Sequence, residues 1–257
     1  MLWAFDIGNT QTVVGLHDGT TWRATWRHAT DARRTEDELA ALLWALCQTH
    51  GLPFAAEGVV VASVVPPYDE AIRRLAEEHL NAPVRFLRNG AQVGVKVDYD
   101  PPHAVGADRI ANAVGALAFL PPPLVVVDFG TATTLDVVDR EGTYVGGAIL
   151  PGIHVSLEAL VGRTSKLPAI AIEAPQTAIG KTTVHSLQSG VVLGYACAID
   201  GLIEQVVVEL GGTARVVSTG GLGSAFTGLA KRIEGHYPEL TLDGLRLSWP
   251  RLRDQSS

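Results

Sequence analysis

Two short segments constrain this chain most. Residues 6–14 read DIGNTQTVV and residues 128–136 read DFGTATTLD. Each follows an apolar strand pattern and continues as a strand. Asp, Gly and Thr recur at the same offsets: Asp6, Gly8 and Thr12, then Asp128, Gly130 and Thr134. One D-x-G-x-x-x-T arises by chance roughly once in twenty chains of this size. Two copies, both at strand-to-turn junctions and one in each half, point to an internal duplication.

The surrounding pattern is α/β. Residues 2–7, 11–17 and 21–28 read as strands, with Asp18-Gly19 as a hairpin turn. Thr35 and Glu38 form a capping box ahead of an apolar helical face, and Gly51 ends that helix. GVVVASVV is a strand buried on both faces. A helix over Tyr68 to Leu80, a strand at 83–88 and a helix from GADRIAN complete the first half. Pro121 to Pro123 set the boundary near residue 120, giving halves of 1–120 and 121–257. In the second half we expect a hairpin through Glu141-Gly142, helices near 154–163 and 183–210, and the strand RVVSTGG. A helix and a final short strand should close the chain. The predicted fold is α/β: two related halves of mixed β-sheet flanked by helices, with a central cleft.

Composition narrows the partners. The 257 residues carry a net charge of −7, are 47% apolar and 18% charged, and have only Lys96, Lys166, Lys181 and Lys231 as lysines. No basic face suited to nucleic acid is visible. An anionic ligand must therefore be met by backbone N–H groups, a few arginines or a cation. The N-terminus lacks a signal-peptide pattern, and no segment reads as a membrane span. Cys47 and Cys197, both in apolar helical patterns, are expected to be buried free thiols in a reducing compartment. A cytoplasmic protein with no nucleic-acid or membrane partner is the expectation.

The two turns suit phosphate. Gly8 and Gly130 permit a tight bend and close approach of a ligand, and successive N–H groups form an anion-binding concavity. Thr10, Thr12, Thr131 and Thr134 offer hydroxyl donors, while Asp6 and Asp128 can hold a cation or its waters. The competing account is that both aspartates only cap turns. STGGLGSAF, residues 218–226, is either a plain strand–helix turn or a third, nucleotide-contacting turn. IGKTT at 179–183 imitates the end of a P-loop, but Pro175 stands where its first glycine belongs. In VGADRIANAVGA, Asp108 and Asn112 share a helix face. Asp108 is either a favourable first-turn acid or part of a site in which an exposed Arg109 anchors a substrate carboxylate.

The paired D-x-G turns resemble the actin/sugar kinase/Hsp70 ATPase superfamily. DIGNTQTVVGL, VASVVPP, YDPPHAVGADRIANAVGA, VVVDFGTATTLDVVD, YVGGAILPGI and GKTTVHSLQSGVVLGY together resemble the type III pantothenate kinases, in that family's order. The resemblance implies ATP-dependent phosphorylation of pantothenate, the first step of coenzyme A synthesis. It also implies roles. Asp6, Ile7, Gly8, Asn9, Thr10, Gln11, Thr12 and Val13 form the first phosphate loop, and Thr131 contacts ATP. Asp108 is the general base. Tyr99, Gly106, Ala107, Asp108, Arg109 and Thr183 contact pantothenate, Thr183 from the partner's side of a homodimer. Asp128 binds a monovalent cation, K+ or NH4+, and Mg2+ accompanies ATP. Gln11 replaces the asparagine common in the family. The long helix 183–210 is apolar on more than one side, which independently suggests a homodimer. Two other readings stay open: a nucleotide-binding regulator on the same scaffold, and a superfamily phosphatase using water as nucleophile.

Overall fold

The computed structural model describes residues 1–255. They form two compact units, one comprising Met1–Ala118 with the chain from Leu240 onward, the other Phe119–Glu239.

In the first unit, β1 (Leu2–Ile7), β2 (Gln11–His17) and β3 (Trp22–Ala29) form an antiparallel meander. α1 (Glu36–Thr49) follows, opened by the expected capping box: Glu38 N–H donates to Thr35 Oγ1 at 3.3 Å and Thr35 N–H to the Glu38 carboxylate at 3.0 Å. β4 (Gly58–Ser63) joins β1 in parallel, α2 (Pro66–Arg74) runs on through a π-helical turn to His79, and β5 (Val84–Leu87) pairs in parallel with β4. α3 (Ala107–Phe119) closes this stretch. The strand order is β3-β2-β1-β4-β5. One face buries Trp3, Phe5 and Ile7 against Leu39, Leu43 and Cys47 of α1 and Tyr68 and Ile72 of α2.

The second unit repeats the plan. β6 (Leu124–Phe129), β7 (Ala132–Val138) and β8 (Tyr144–Pro151) form a meander, and α4 (Ile153–Gly162) follows. α5 (Thr183–Gln188), a π-helical turn at Ser189–Leu193 and α6 (Gly194–Glu209) make one 27-residue helix, Thr183–Glu209. β9 (Arg215–Thr219), α7 (Gly223–Phe226) and the two-residue β10 (Gly235–His236) complete the order β10-β9-β6-β7-β8. β1 and β6, β2 and β7, and β4 and β9 occupy equivalent places, with the same parallel and antiparallel pairings. The duplication seen in the sequence is thus a duplication of topology.

Four sequence expectations need correction. The chain ends not on a strand but on α8 (Leu240–Arg253), and this helix belongs to the first unit rather than the second. Leu240, Leu242, Leu245 and Leu252 bury one face, and α8 packs against β1, β4 and β5. Pro250 hid this helix in the sequence, since proline interrupts helices. Cys197 is exposed, because α6 turns Ala196 and Ile199 inward instead. Thr183–Glu209 is long and apolar enough to cross a membrane, contrary to the expectation that no segment is. Its inner stripe of Val192, Ala196, Ile199, Ile203 and Val207 is core of the second unit. Arg109 is buried, at 8% exposure, not exposed.

Gly244 of α8 lies so close to α3 that an added Cβ would sit 1.8 Å from the Ala111 carbonyl oxygen. We predict that Gly244→Ala destabilises the protein by about 1–3 kcal/mol through overpacking. Urea unfolding checks this, and an unchanged midpoint would contradict the α3–α8 contact.

Candidate active site

The first phosphate turn grows out of the hairpin between β1 and β2. The last ladder pair is Ile7 with Thr12, leaving residues 8–11 as the loop. Gly8 N–H closes it by donating to the Gln11 carbonyl at 3.1 Å. Asn9, Thr10 and Gln11 are exposed and Asp6 is half-buried. Asp6 lies opposite Val13, on the sheet face away from Ile7. Ile7 and Thr12 are 1% and 0% exposed, so they serve the turn through the backbone. The Thr12 hydroxyl is shared with Thr30 at 2.8 Å, and Thr30 N–H donates to the Thr10 carbonyl at 3.0 Å.

The second turn is built the same way but is one residue shorter. Its last pair is Phe129 with Thr133, leaving residues 130–132, and Gly130 N–H donates to the Ala132 carbonyl at 3.0 Å. The structural counterpart of Thr12 is therefore Thr133, not Thr134, which aligns by sequence offset. Thr133 is buried, while Thr134 stands opposite Asp128 and its hydroxyl donates to Asp136 at 3.2 Å. Gly130 and Thr131 are exposed and Asp128 is half-buried. Gly152 N–H donates to the Thr131 carbonyl at 3.1 Å, as Thr30 does to Thr10.

Gly220 brings the third glycine turn against the second. Its φ is +86°, and a Cβ there would lie 2.5 Å from Asp128 Oδ1 and 2.6 Å from the Phe129 carbonyl oxygen. Only glycine fits. A carboxylate and a carbonyl oxygen thus converge on one small space, a hard-oxygen set of the kind alkali and alkaline-earth cations take. Among the described residues no cluster of three or more His, Cys, Asp and Glu side chains could hold a metal ion alone. A cation here would need further oxygens, from water or from a bound ligand, to complete its coordination.

Asp108 lies in the first turn of α3. Its Oδ1 accepts the Arg109 N–H at 2.9 Å and folds back over Gly106. Burial pushes the carboxyl up from its ordinary range; the Arg109 N–H and guanidinium pull the other way but do not prevail. Tyr99 and Gly106 are half-buried, Ala107 is buried, and Thr183 is exposed at the first position of α5. Asn112 is fully buried, and its side-chain oxygen accepts the Thr241 hydroxyl of α8 at 2.7 Å. Thr30 lay outside every motif, and Gly152 stood in YVGGAILPGI without a role, because both act through strand register.

The profile of the type III pantothenate kinase family matches residues 2–205. The chain belongs to that family. A type III pantothenate kinase from Anaeromyxobacter sp. (strain Fw109-5) is 44% identical over 98% of this chain and 100% of its own length. One from Hyphomonas neptunium is 42% identical over 98% and 100%. Among solved structures, a Baf family transcriptional activator from Campylobacter jejuni superposes with a TM-score of 0.65 at 18% identity, covering 98% of this chain and 100% of that one. A 2-dehydro-3-deoxygalactonokinase protein from Sinorhizobium meliloti gives 0.62 at 13%, covering 100% and 98%. These last two show the shared fold, the duplicated α/β fold of actin-like and sugar kinases. As a type III pantothenate kinase, the protein carries out the ATP-dependent phosphorylation of pantothenate that begins coenzyme A biosynthesis.

The pH profile should report the raised carboxyl. If Asp108 acts as a base it must be deprotonated, so activity would fall as pH drops through its folded value. We predict that kcat/KM for pantothenate, which reports the unliganded enzyme, declines below an apparent pKa clearly above the ordinary aspartate value of about 4. A kcat/KM that holds level down to that value would contradict a raised Asp108 carboxyl acting as the base.

Proposed function

We propose that Asp108 is the general base that takes the proton of the pantothenate 4′-hydroxyl as that oxygen attacks the γ-phosphorus of ATP. The new O–P bond forms as the bond to the β,γ-bridging oxygen breaks, and ADP leaves. The observation that carries this is the recessed Asp108 carboxyl, raised by burial and set at the positive end of α3. A raised pKa makes a carboxylate a better proton acceptor at working pH. The carboxylate is oriented by the Arg109 N–H, so it meets the substrate in one rotamer.

In this reading Tyr99, Gly106, Ala107 and Arg109 hold pantothenate around Asp108. Asp6 to Val13 (Asp6, Ile7, Gly8, Asn9, Thr10, Gln11, Thr12 and Val13) and Thr131 hold ATP. Asn9, Thr10, Gln11 and Thr131 are exposed at the two turns, where their side chains would meet the phosphates, and Gly8 and Gly130 would offer backbone. Asp128 holds a monovalent cation, K+ or NH4+, with the Phe129 carbonyl. Bound Mg2+ and the monovalent ion would offset phosphate charge, which a chain with so few lysines cannot do by itself.

We also propose a homodimer through the second unit, with Thr183 completing the partner's pantothenate site. Ile149, Ile179, Val184 and Val208 are 66%, 79%, 45% and 73% exposed, and Val155 and Leu160 of α4 add to this apolar surface. We place the reaction in the cytoplasm, without nucleic-acid or membrane partners, where a free Cys47 and Cys197 stay reduced.

Asp108→Asn keeps the shape and removes the base. We predict a loss of about 10²–10⁴ in kcat with cooperative unfolding retained, measured by coupling ADP release to NADH oxidation. A variant within threefold of the parent would sink the assignment. The same assay with and without K+ tests the monovalent ion. Light scattering at micromolar concentration should give twice the 27.2 kDa chain mass; a monomer would refute the dimer.

A further inference from the structure

We propose that Tyr195, from the long helix of the second unit, is a positioning residue for the second phosphate turn and thereby for ATP. The inference rests on the assignment of that turn to nucleotide.

The two turns are anchored from behind at equivalent points by different means. In the first, the buried Thr12 hydroxyl meets Thr30 Oγ1 at 2.8 Å. Thr30 directly follows Ala29, which pairs with Gln11 at the end of β3. In the second, Pro151 pairs with Ala132 at the end of β8, so the residue in the Thr30 position is Gly152. Gly152 keeps the backbone bond, to the Thr131 carbonyl at 3.1 Å, but it has no hydroxyl to offer Thr133. A Cβ at Gly152 would lie 2.3 Å from the Thr131 carbonyl oxygen, so no side chain fits there.

Tyr195 supplies the missing group. Its hydroxyl donates to the Pro151 carbonyl at 2.9 Å and is hydrogen-bonded to the Thr133 side chain. The donor count is consistent: the tyrosine proton goes to Pro151, and the Thr133 proton goes to the tyrosine oxygen. One hydroxyl thus ties β7 to β8 immediately behind residues 130–132. The ring adds a second hold. It packs on Phe226 at 5.6 Å, and Phe226 is stacked on Phe129 at 5.0 Å and 7°, next to Asp128. The π-helical turn at Ser189–Leu193 ends one residue before α6 begins at Gly194. Such a turn shifts the phase of the residues after it, and Tyr195 is the second of these.

The test is Tyr195→Phe, which removes the hydroxyl and keeps the ring. The dissociation constant for Mg-ATP is measured by calorimetry without pantothenate, and both KM values by the coupled assay. Losing a hydrogen bond of ordinary strength should weaken ATP binding by about twofold to tenfold. The pantothenate KM should stay within about twofold. Thr133→Val should do the same, Thr133→Ser should restore affinity, and the double variant should be no worse than the worse single. An unchanged ATP affinity in Tyr195→Phe overturns the proposal. So does a parallel change in both KM values, or strict additivity of the two substitutions. If the parent protein binds ATP but fails to phosphorylate pantothenate, the proposed chemistry fails, whereas the ATP-binding comparison still decides the role of Tyr195.

Discussion

A carboxylate at the end of a central strand is a costly thing to build, and this chain builds it twice. β1 and β6 each have a neighbouring strand on both sides and each carries a half-buried aspartate one residue before its end. Removing a carboxylate from water without compensation is unfavourable. Asp6 and Asp128 stay half-buried, and two residues after each a glycine turns the chain tightly. The sheets and helices keep those two bends in shape. Hairpin register fixes the loop length, and the closing bonds of Gly8 and Gly130 set the curvature.

The halves share topology but differ in how they hold their turns. The first unit relies on a large aromatic core, with Trp3 stacked against Phe5 and edge-on to Phe54, and on a threonine pair beside the turn. The second has a valine-rich central strand and a shorter loop, and a tyrosine from a distant helix stands where the first unit uses Thr30. The backbone bond behind each turn is kept while the side-chain bond has been replaced. Geometry at the turn, rather than any one side chain, is what both halves preserve.

Much of this was legible in the sequence. Alternation and turn residues marked β1 to β3, the Thr35–Glu38 box marked α1, and the repeated motif marked the duplication. What escaped has physical reasons. α8 was hidden by Pro250, and its return to the first unit depends on long-range packing that no local pattern encodes. Matching Thr12 to Thr134 failed because equal sequence offset does not mean equal register once a loop shortens. Arg109 looked exposed because charge suggests exposure, yet α3 turns it inward. Asn112 shares a helical spacing with Asp108 but is claimed by Thr241. The candidate residues could be named in advance; which of their side chains are buried and which stand exposed at the turns could not.

The proposal on which the rest depends is that the glycine turns after Asp6 and Asp128 serve ATP binding. Calorimetric titration of Mg-ATP into Asp6→Asn and Asp128→Asn, each variant first checked for cooperative unfolding, tests it most directly. The account predicts that each substitution weakens ATP binding by about tenfold or more, as expected when a charge-assisted contact is lost. An unchanged dissociation constant in either folded variant would contradict it.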